Sequence, residues 1–307
     1  MSQDMLQSQA VQTTGHAWDG DLQEYNNPLP NWWRLAFYIS IAISIVYWFI
    51  YPAWPVGKGF TTGFDKVTYV NDKGETKTTH WNTRAQLMVD MNEAAKQQKP
   101  YFDKIEATSF QNISKDPELS NFVASAGKSL FSDNCAACHQ AGGQGKLGFY
   151  PNLTDDDWLY GGTYEKIQQT ITNGRHGYMP PFNEALNDGQ ITDLANYVLG
   201  LSGEKVDPAK AKAGDELFHS ETAACYYCHG ADAKGRQIVG SANLTDKIWL
   251  WADVPDQGTE EKKVEAVKQI IIGGVNKGVM PTWKERLQPE QIKLLTVYVH
   301  DTLGGGK

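Results

Sequence analysis

A chain of 307 residues is long for one core, because domains usually hold about 100 to 150 residues, so at least two compact units are expected. Its 28 basic and 36 acidic side chains leave a net charge of −8, which disfavours nucleic-acid binding and would draw basic partners. All four cysteines fall in two short motifs, which excludes structural disulfides and a stray thiol.

Residues 1–30 form a polar, acidic arm. Residues 31–55 then read as a membrane anchor: the stretch 35–51 has no charge and only two serines. About twenty such residues cross a bilayer core as a helix. Trp32 and Trp33 stand at one end, and Trp48, Tyr51 and Trp54 at the other, where amphipathic rings favour the lipid–water boundary; Pro52 and Pro55 stop the helix. The aromatic ends disfavour a buried core helix. Thirty mostly polar residues ahead of the segment, with no basic leader or small-residue cleavage site, disfavour a cleaved signal peptide.

Residues 56–113 form a linker region. Alternation around Asn71, Asp72, Lys73 and Gly74 predicts a small hairpin over about 67–81. Residues 83–98 predict an amphipathic helix with Leu87, Met91, Ala94 and Ala95 on its apolar face, Met88 and Met91 acting as packing residues.

From about Ser114 the chain repeats itself. AGKSLF (126–131) returns as AGDELF (213–218), CAACH (135–139) as CYYCH (225–229), and NLTDDDW (152–158) as NLTDKIW (243–249). GYMPPF (177–182) returns as GVMPTW (278–283), and ITDLANYV (191–198) as IKLLTVYV (292–299), always in the same order. The two units are 114–203 and 204–307, the second lengthened by a surface loop around ADVPDQGTEE. Each predicts an opening helix, with Phe122, Val123, Ala126 and Leu130 on one face in the first copy. Each also predicts a closing helix, with Ile191, Leu194, Ala195 and Val198 inward in the first copy and Ile292, Leu295, Thr296 and Val299 in the second. Two short helices bury little, so each unit needs a cofactor or staple in its core.

The CxxCH motif supplies one. Cysteines three apart on a tight turn can each form a thioether to a vinyl group of one porphyrin, and the next residue, His139 or His229, is carried beneath the iron as an axial ligand. Cys135 and Cys138 therefore hold one haem c, and Cys225 and Cys228 another. A single four-cysteine zinc site fits poorly, since each pair sits in its own complete copy of a longer unit. A thioredoxin-like pair needs a preceding strand, and the approach here is helical.

The sixth ligand should occupy equivalent places in both copies, as Met179 and Met280 do, each followed by proline. His176 is the alternative; His176, His219 and His300 face Lys277, Ser132 and Leu199 in the other copy. His/Met ligation implies a comparatively high potential and leaves no vacant position on iron. Spacing leaves open whether each methionine serves its own unit. Asn152, Trp158, Asn243 and Trp249 are candidates for haem propionates, with turn formation as the alternative for the asparagines. Asp155, Asp156 and Asp157 read as a solvated helix start or as a dock for a basic donor.

The segment 16–52 carries a more specific pattern, D-x-D-L-x-E-x-N-N-P-L-P-x-W-W from Asp19 to Trp33. It resembles the N-terminal domain of the di-haem subunit III of cbb3-type cytochrome c oxidases, and both repeats look like the small cytochrome c domains of that family. The resemblance implies an all-α chain: one N-terminal transmembrane helix and two tandem cytochrome c domains, with a hairpin and a helix between. It implies no catalytic residue, but a subunit that passes electrons from soluble cytochrome c toward a mono-haem subunit and a haem-copper catalytic subunit. Carried over, Cys135, Cys138, Cys225 and Cys228 tether two haems c, and His139, His229, Met179 and Met280 bind iron.

Thioether attachment takes place outside the cytoplasmic membrane, so the arm is expected to be cytoplasmic and the haem units periplasmic at a bacterial inner membrane, in contact with lipid. The arm has no Lys or Arg before Arg34, so the charge rule adds little. Two other functions share the motifs: a di-haem peroxidase, which needs an open iron, and a shuttle serving a periplasmic dehydrogenase. Counted by repeat, the net charge is about −5 for 114–203 and about −1 for 204–307, so a basic donor is expected to prefer the first.

Overall fold

The computed structural model describes residues 12–304, and the chain divides into two compact units, one up to Gln97 and one from Gln98 onward.

In the first unit, β1 (Thr13–Trp18) and β2 (Leu22–Tyr25) form an antiparallel hairpin closed at Asp19 and Gly20, both at positive φ. The sequence reading gave this arm no structure, although an Asp-Gly pair between apolar residues is the usual hairpin signal. The anchor is α1 (Asn31–Ile50), with no buried residue along its 20 positions, so no protein core claims it. A short pair, β3 (Pro55–Val56) and β4 (Gly59–Phe60), follows immediately. The expected hairpin is β5 (Lys66–Val70) with β6 (Thr76–His80). Asn71 fixes its turn by accepting hydrogen bonds from the Lys73 and Glu75 amides at 3.0 and 2.9 Å.

Helix α2 (Thr83–Ala107) begins in the first unit and ends in the second, running past Gln98 and through Pro100. Its packed side differs from the expected one. Leu87 and Met91 are exposed, while Ala85 is buried and Asn92 Nδ2 donates to the Val70 carbonyl at 3.0 Å. The hairpin takes the 85/88/92 face, where Ala85 lets it approach, Met88 lies beside Tyr69 and Thr79, and Asn92 bonds its edge.

The second unit consists of α3 (Phe110–Ile113), α4 (Pro117–Asn134), α5 (Ala136–His139), α6 (Tyr164–Asn173), α7 (Asp188–Leu201), α8 (Pro208–Phe218), α9 (Tyr226–His229), α10 (Glu260–Gly273) and α11 (Pro289–Val297). It ends in a π-helical turn, Tyr298–Thr302. The opening helices start alike: Asp116 and Asp207 each accept two amide hydrogen bonds from their first turn and each precede a proline. In α4 the buried stripe is Leu119, Val123, Gly127 and Phe131, one step around from the predicted face, with Phe122, Ala126 and Leu130 only partly covered. The predicted inward faces of both closing helices are buried. Helices α6 and α10 were not foreseen, though threonine caps at Thr163 and Thr259 and isoleucines four apart, Ile167 and Ile171, mark the first.

The packing crosses the repeats. Helix α7 closes the first repeat yet packs on α8 and α10 of the second, while α11 closes the second and packs on α4 and α6 of the first. One core joins Leu119, Val123, Phe131, Ile167 and Ile171 to Leu287, Ile292, Leu295 and Tyr298. The other joins Leu186, Ile191, Leu194 and Val198 to Phe218, Val254, Val267 and Ile271. A short connection between α7 and α8 favours their antiparallel pairing, and the glycines permit it. A Cβ on Gly214 would stand 2.1 Å from the Asp193 carbonyl oxygen, and one on Gly127 2.8 Å from Tyr298.

Candidate functional site

The sequence places each CxxCH on a single helical turn, α5 and α9, directly behind an opening helix. Both turns end in a backbone that only unusual φ permits, Gln140 at +65° and Gly230 at +80°. This sharp exit sends the following loop back under the imidazole. His139 Nδ1 donates to the Pro151 carbonyl at 3.0 Å, and His229 Nδ1 donates to the Ala242 carbonyl at 2.9 Å. Pro151 and Ala242 occupy the same place, just before NLTD. This hydrogen bond selects the tautomer that leaves Nε2 with its lone pair free for a metal. Burial lowers the pKa of both histidines, which also favours the neutral ring.

Both rings, all four cysteines, Met179 and Met280 line one continuous cavity of about 1020 Å³. Sites for drug-sized ligands run from about 300 to 1,000 Å³, so this space suits large groups. Its walls are mainly apolar, with Phe131, Leu153, Ile167, Trp158, Leu194, Val198, Trp249 and Ile271 among them. Burial pushes the Cys135 and Cys225 thiols up to about 11, each helped by the second cysteine of its pair. A redox or metal-binding thiol is held low instead, and no cluster of three or more metal-binding side chains occurs among the described residues. The donor set therefore fits haem c: a pair of cysteines three apart and one neutral imidazole at an apolar wall, twice.

The methionines reach this cavity on two straps that pair with each other. Arg175 and Met280 exchange backbone hydrogen bonds at 2.9 Å in both directions, and Met179 and Val275 do the same. Beyond each methionine the chain continues onto the other repeat: the Phe182 amide donates to the Ile271 carbonyl at 3.0 Å, and Trp283 to Ile171 at 3.2 Å. Consequently Met280 packs in the core that contains Cys135, and Met179 in the core that contains Cys225. Gly174 and Gly274 hold the straps in register. A Cβ on either would lie 2.4 Å from the carbonyl oxygen of the opposite methionine, and both have positive φ.

The rival histidines are engaged elsewhere, and none lines the cavity among the described residues. His176 Nε2 meets Asn276 Oδ1 at 3.0 Å. His219 contacts the Asp215 and Ala231 carbonyls, and His300 stacks on Tyr164 beside Asp301. Asn152 and Asn243 act as turn-formers: each side-chain oxygen accepts from the amide and hydroxyl of the threonine two residues on, at 2.7 to 3.0 Å. Trp158 donates its indole N–H to the Asp155 carbonyl at 3.1 Å.

The acidic run is not a helix start. Asp155 and Asp157 turn toward the cavity and only Asp156 is exposed. Burial, with Asp246 and Asp155 nearby, pushes Asp157 up to about 6. A carboxylate raised in this way costs stability as it ionises. That cost is absent below the unfolded value of 3.8 and fully present above about 6, so stability falls through this window. Asp157→Asn is expected to raise the melting temperature by about 2 °C at pH 7, allowing for solvent screening, and to leave it unchanged near pH 3.5. Thermal melts of both proteins at the two pH values check this.

Two family profiles match the chain. The N-terminal domain of cytochrome oxidase-cbb3, FixP, matches residues 10–58, and cytochrome c oxidase, cbb3-type, subunit III, matches residues 123–198 and 209–299. Curated relatives are similar along nearly the whole chain. The cbb3-type cytochrome c oxidase subunit FixP of Azorhizobium caulinodans is 43% identical over 304 residues, covering 96% of this chain and 94% of the relative. Subunit CcoP of Azospirillum brasilense is 40% identical over 314 residues, covering 97% and 96%. That of Rubrivivax gelatinosus is 40% identical over 288 residues, covering 94% and 83%. An apolar helix, paired CxxCH turns on one cavity and similarity over the full length agree: the chain belongs to the subunit III family of cbb3-type cytochrome c oxidases, as a membrane-anchored, non-catalytic cytochrome c subunit.

Proposed function

We propose that this chain holds two haems c and relays electrons within a cbb3-type oxidase through iron centres whose sulfur ligands are exchanged between the repeats. Cys135 and Cys138 would tether one porphyrin, and His139 and Met280 would be the protein ligands of its iron. Cys225 and Cys228 would tether the other, and His229 and Met179 would be the protein ligands of its iron. The observation that carries this reading is the seating of each methionine in the core of the opposite CxxCH turn.

When bound, haem c supplies one-electron exchange at iron. The chain's own residues do the rest. The Pro151 and Ala242 carbonyls aim the imidazoles, the paired straps present both thioethers together, and the apolar walls exclude water. Thioether ligation favours the ferrous state, as suits delivery toward an oxidant. With His139 and Met280 on one iron and His229 and Met179 on the other, neither would keep a position open to peroxide, which favours a relay over a peroxidase.

The route runs from a soluble cytochrome c toward the mono-haem subunit and the haem-copper catalytic subunit. The arm lies on the cytoplasmic side and the haem region in the periplasm of a bacterial cell. Interleaving removes the charge difference between the repeats. Residues 98–174 with 280–304 carry about −3, and residues 175–279 about −4, so net charge selects neither lobe for a basic donor.

The test is purification of the intact membrane complex in mild detergent. The chain is expected to co-migrate with a copper-containing oxidase. Recovery alone, or with a periplasmic dehydrogenase, would make it a shuttle instead.

A further inference from the structure

We infer that the loop 53–64, immediately beyond the anchor, is a second membrane-contacting element: a closed hairpin that lies in the phospholipid headgroup layer. The inference rests on the membrane-anchored reading of α1 and extends it to residues outside the helix. A chain leaving a spanning helix usually departs into water. This one folds back onto the helix end. The Phe64 amide donates to the Phe49 and Ile50 carbonyls at 3.2 and 3.0 Å, and the Asp65 amide to Ile50 at 3.1 Å. These bonds satisfy carbonyls that the last turn of a helix leaves without partners. Only glycine allows the approach, since a Cβ on Gly63 would stand 2.2 Å from the Ile50 oxygen.

The loop is closed within itself. The Thr61 amide donates to the Trp54 carbonyl at 2.8 Å, Thr61 Oγ1 accepts from the Ala53 and Trp54 amides at 3.3 and 3.0 Å, and β3 pairs with β4. Backbone satisfied in this way can enter a region poor in water. Trp54 also packs edge-on against Trp48 of the helix, with ring centroids 4.8 Å apart. The loop therefore sits at the level of the helix end, which is the lipid–water boundary.

What it presents there is apolar. Trp54 is 50% exposed, Val56 63%, Phe60 69% and Phe64 80%, an outward set that water would disfavour. Within 53–64 the only charged side chain is Lys58, at the turn between the strands, where an ammonium can reach a lipid phosphate while its stem stays in the boundary. Aromatic rings with one cationic tip match a phospholipid surface, and continuity with a spanning helix selects that surface over a protein partner.

The experiment reconstitutes the full haem-loaded chain, without other subunits, in phosphatidylcholine bilayers doped with a phospholipid whose diazirine sits near the glycerol end of an acyl chain. After photolysis and trypsin digestion, adducts are counted by mass spectrometry. Peptide 59–66 is expected to carry at least fivefold more adduct than peptide 67–73 of the neighbouring hairpin, and Phe60→Glu combined with Phe64→Glu to remove that excess. Equal labelling of the two peptides, with peptide 35–58 strongly labelled, overturns the inference and leaves the anchor intact. Absence of label from peptide 35–58 as well would overturn both.

Discussion

Replacing Met280 by alanine is expected to open the iron held by the first repeat, not the second. The discriminating background is a chain in which Cys225 and Cys228 are both alanine, so that only the porphyrin on Cys135 and Cys138 stays covalently held. There, Met280→Ala should abolish the sulfur-to-ferric-iron charge-transfer band and let the ferrous iron bind carbon monoxide. Met179→Ala should leave both properties unchanged. The reason is positional: Met280 packs with Cys135, and its strap hands the chain to α6 through Trp283 and Ile171. Loss of a thioether ligand also lowers the potential, because His/Met ligation is the high-potential arrangement. If Met179→Ala opened this iron instead, the repeats would be self-contained.

Gly214→Ala is expected to be among the most destabilising single-methyl additions in the second unit. In a helix interior alanine is favoured over glycine by about 1 kcal/mol, so the sign depends on what the methyl meets. It meets backbone: the Asp193 carbonyl oxygen at 2.1 Å and the Asp193 carbonyl carbon at 2.6 Å. A carbonyl inside α7 cannot swing aside, so the helices must separate, and overpacking of this kind costs about 1–3 kcal/mol or more. A net loss of about 2 kcal/mol corresponds to a melting temperature lower by about 4–8 °C for a unit of this size. Gly127→Ala acts on the equivalent crossing, where the nearest atoms belong to the Tyr298 side chain, so a smaller drop is expected. Thermal melts of the haem-loaded proteins rank the two; a larger effect at Gly127 would contradict the steric account.

The family and the anchor were legible in the sequence, and the proposed haem chemistry rests on the same motifs. CAACH and CYYCH mark the proposed haem-attachment turns by spacing, and repetition of Met179 as Met280 singles out the proposed thioether ligands among seven histidines and six methionines. The anchor declared itself because a lipid-facing helix must be apolar all round, a signal that no packing can override. What stayed hidden was partnership. Because the two repeats have matching helices, the buried stripe of α7 suits α4 or α8 equally well by periodicity. Contacts across the repeat boundary distinguish them, among them the close approach of Gly214 to Asp193 and the pairing of Arg175 with Met280. The hydrogen bonds from His139 and His229 to Pro151 and Ala242 were likewise invisible, since an accepting carbonyl leaves no mark on residue identity. The face of α2 was misread for a related reason: Leu87 and Met91 look inward by composition, yet the hairpin beside them takes the alanine side.

The central claim is tested most directly by a high-resolution cryo-electron-microscopy map of the haem-loaded oxidase, read at the two c-type irons of this subunit. The map is predicted to show Met280 sulfur on the iron that bears His139 and Met179 sulfur on the iron that bears His229. Density joining Met179 to the His139 iron, or an imidazole from His176 at either sixth position, would contradict the account.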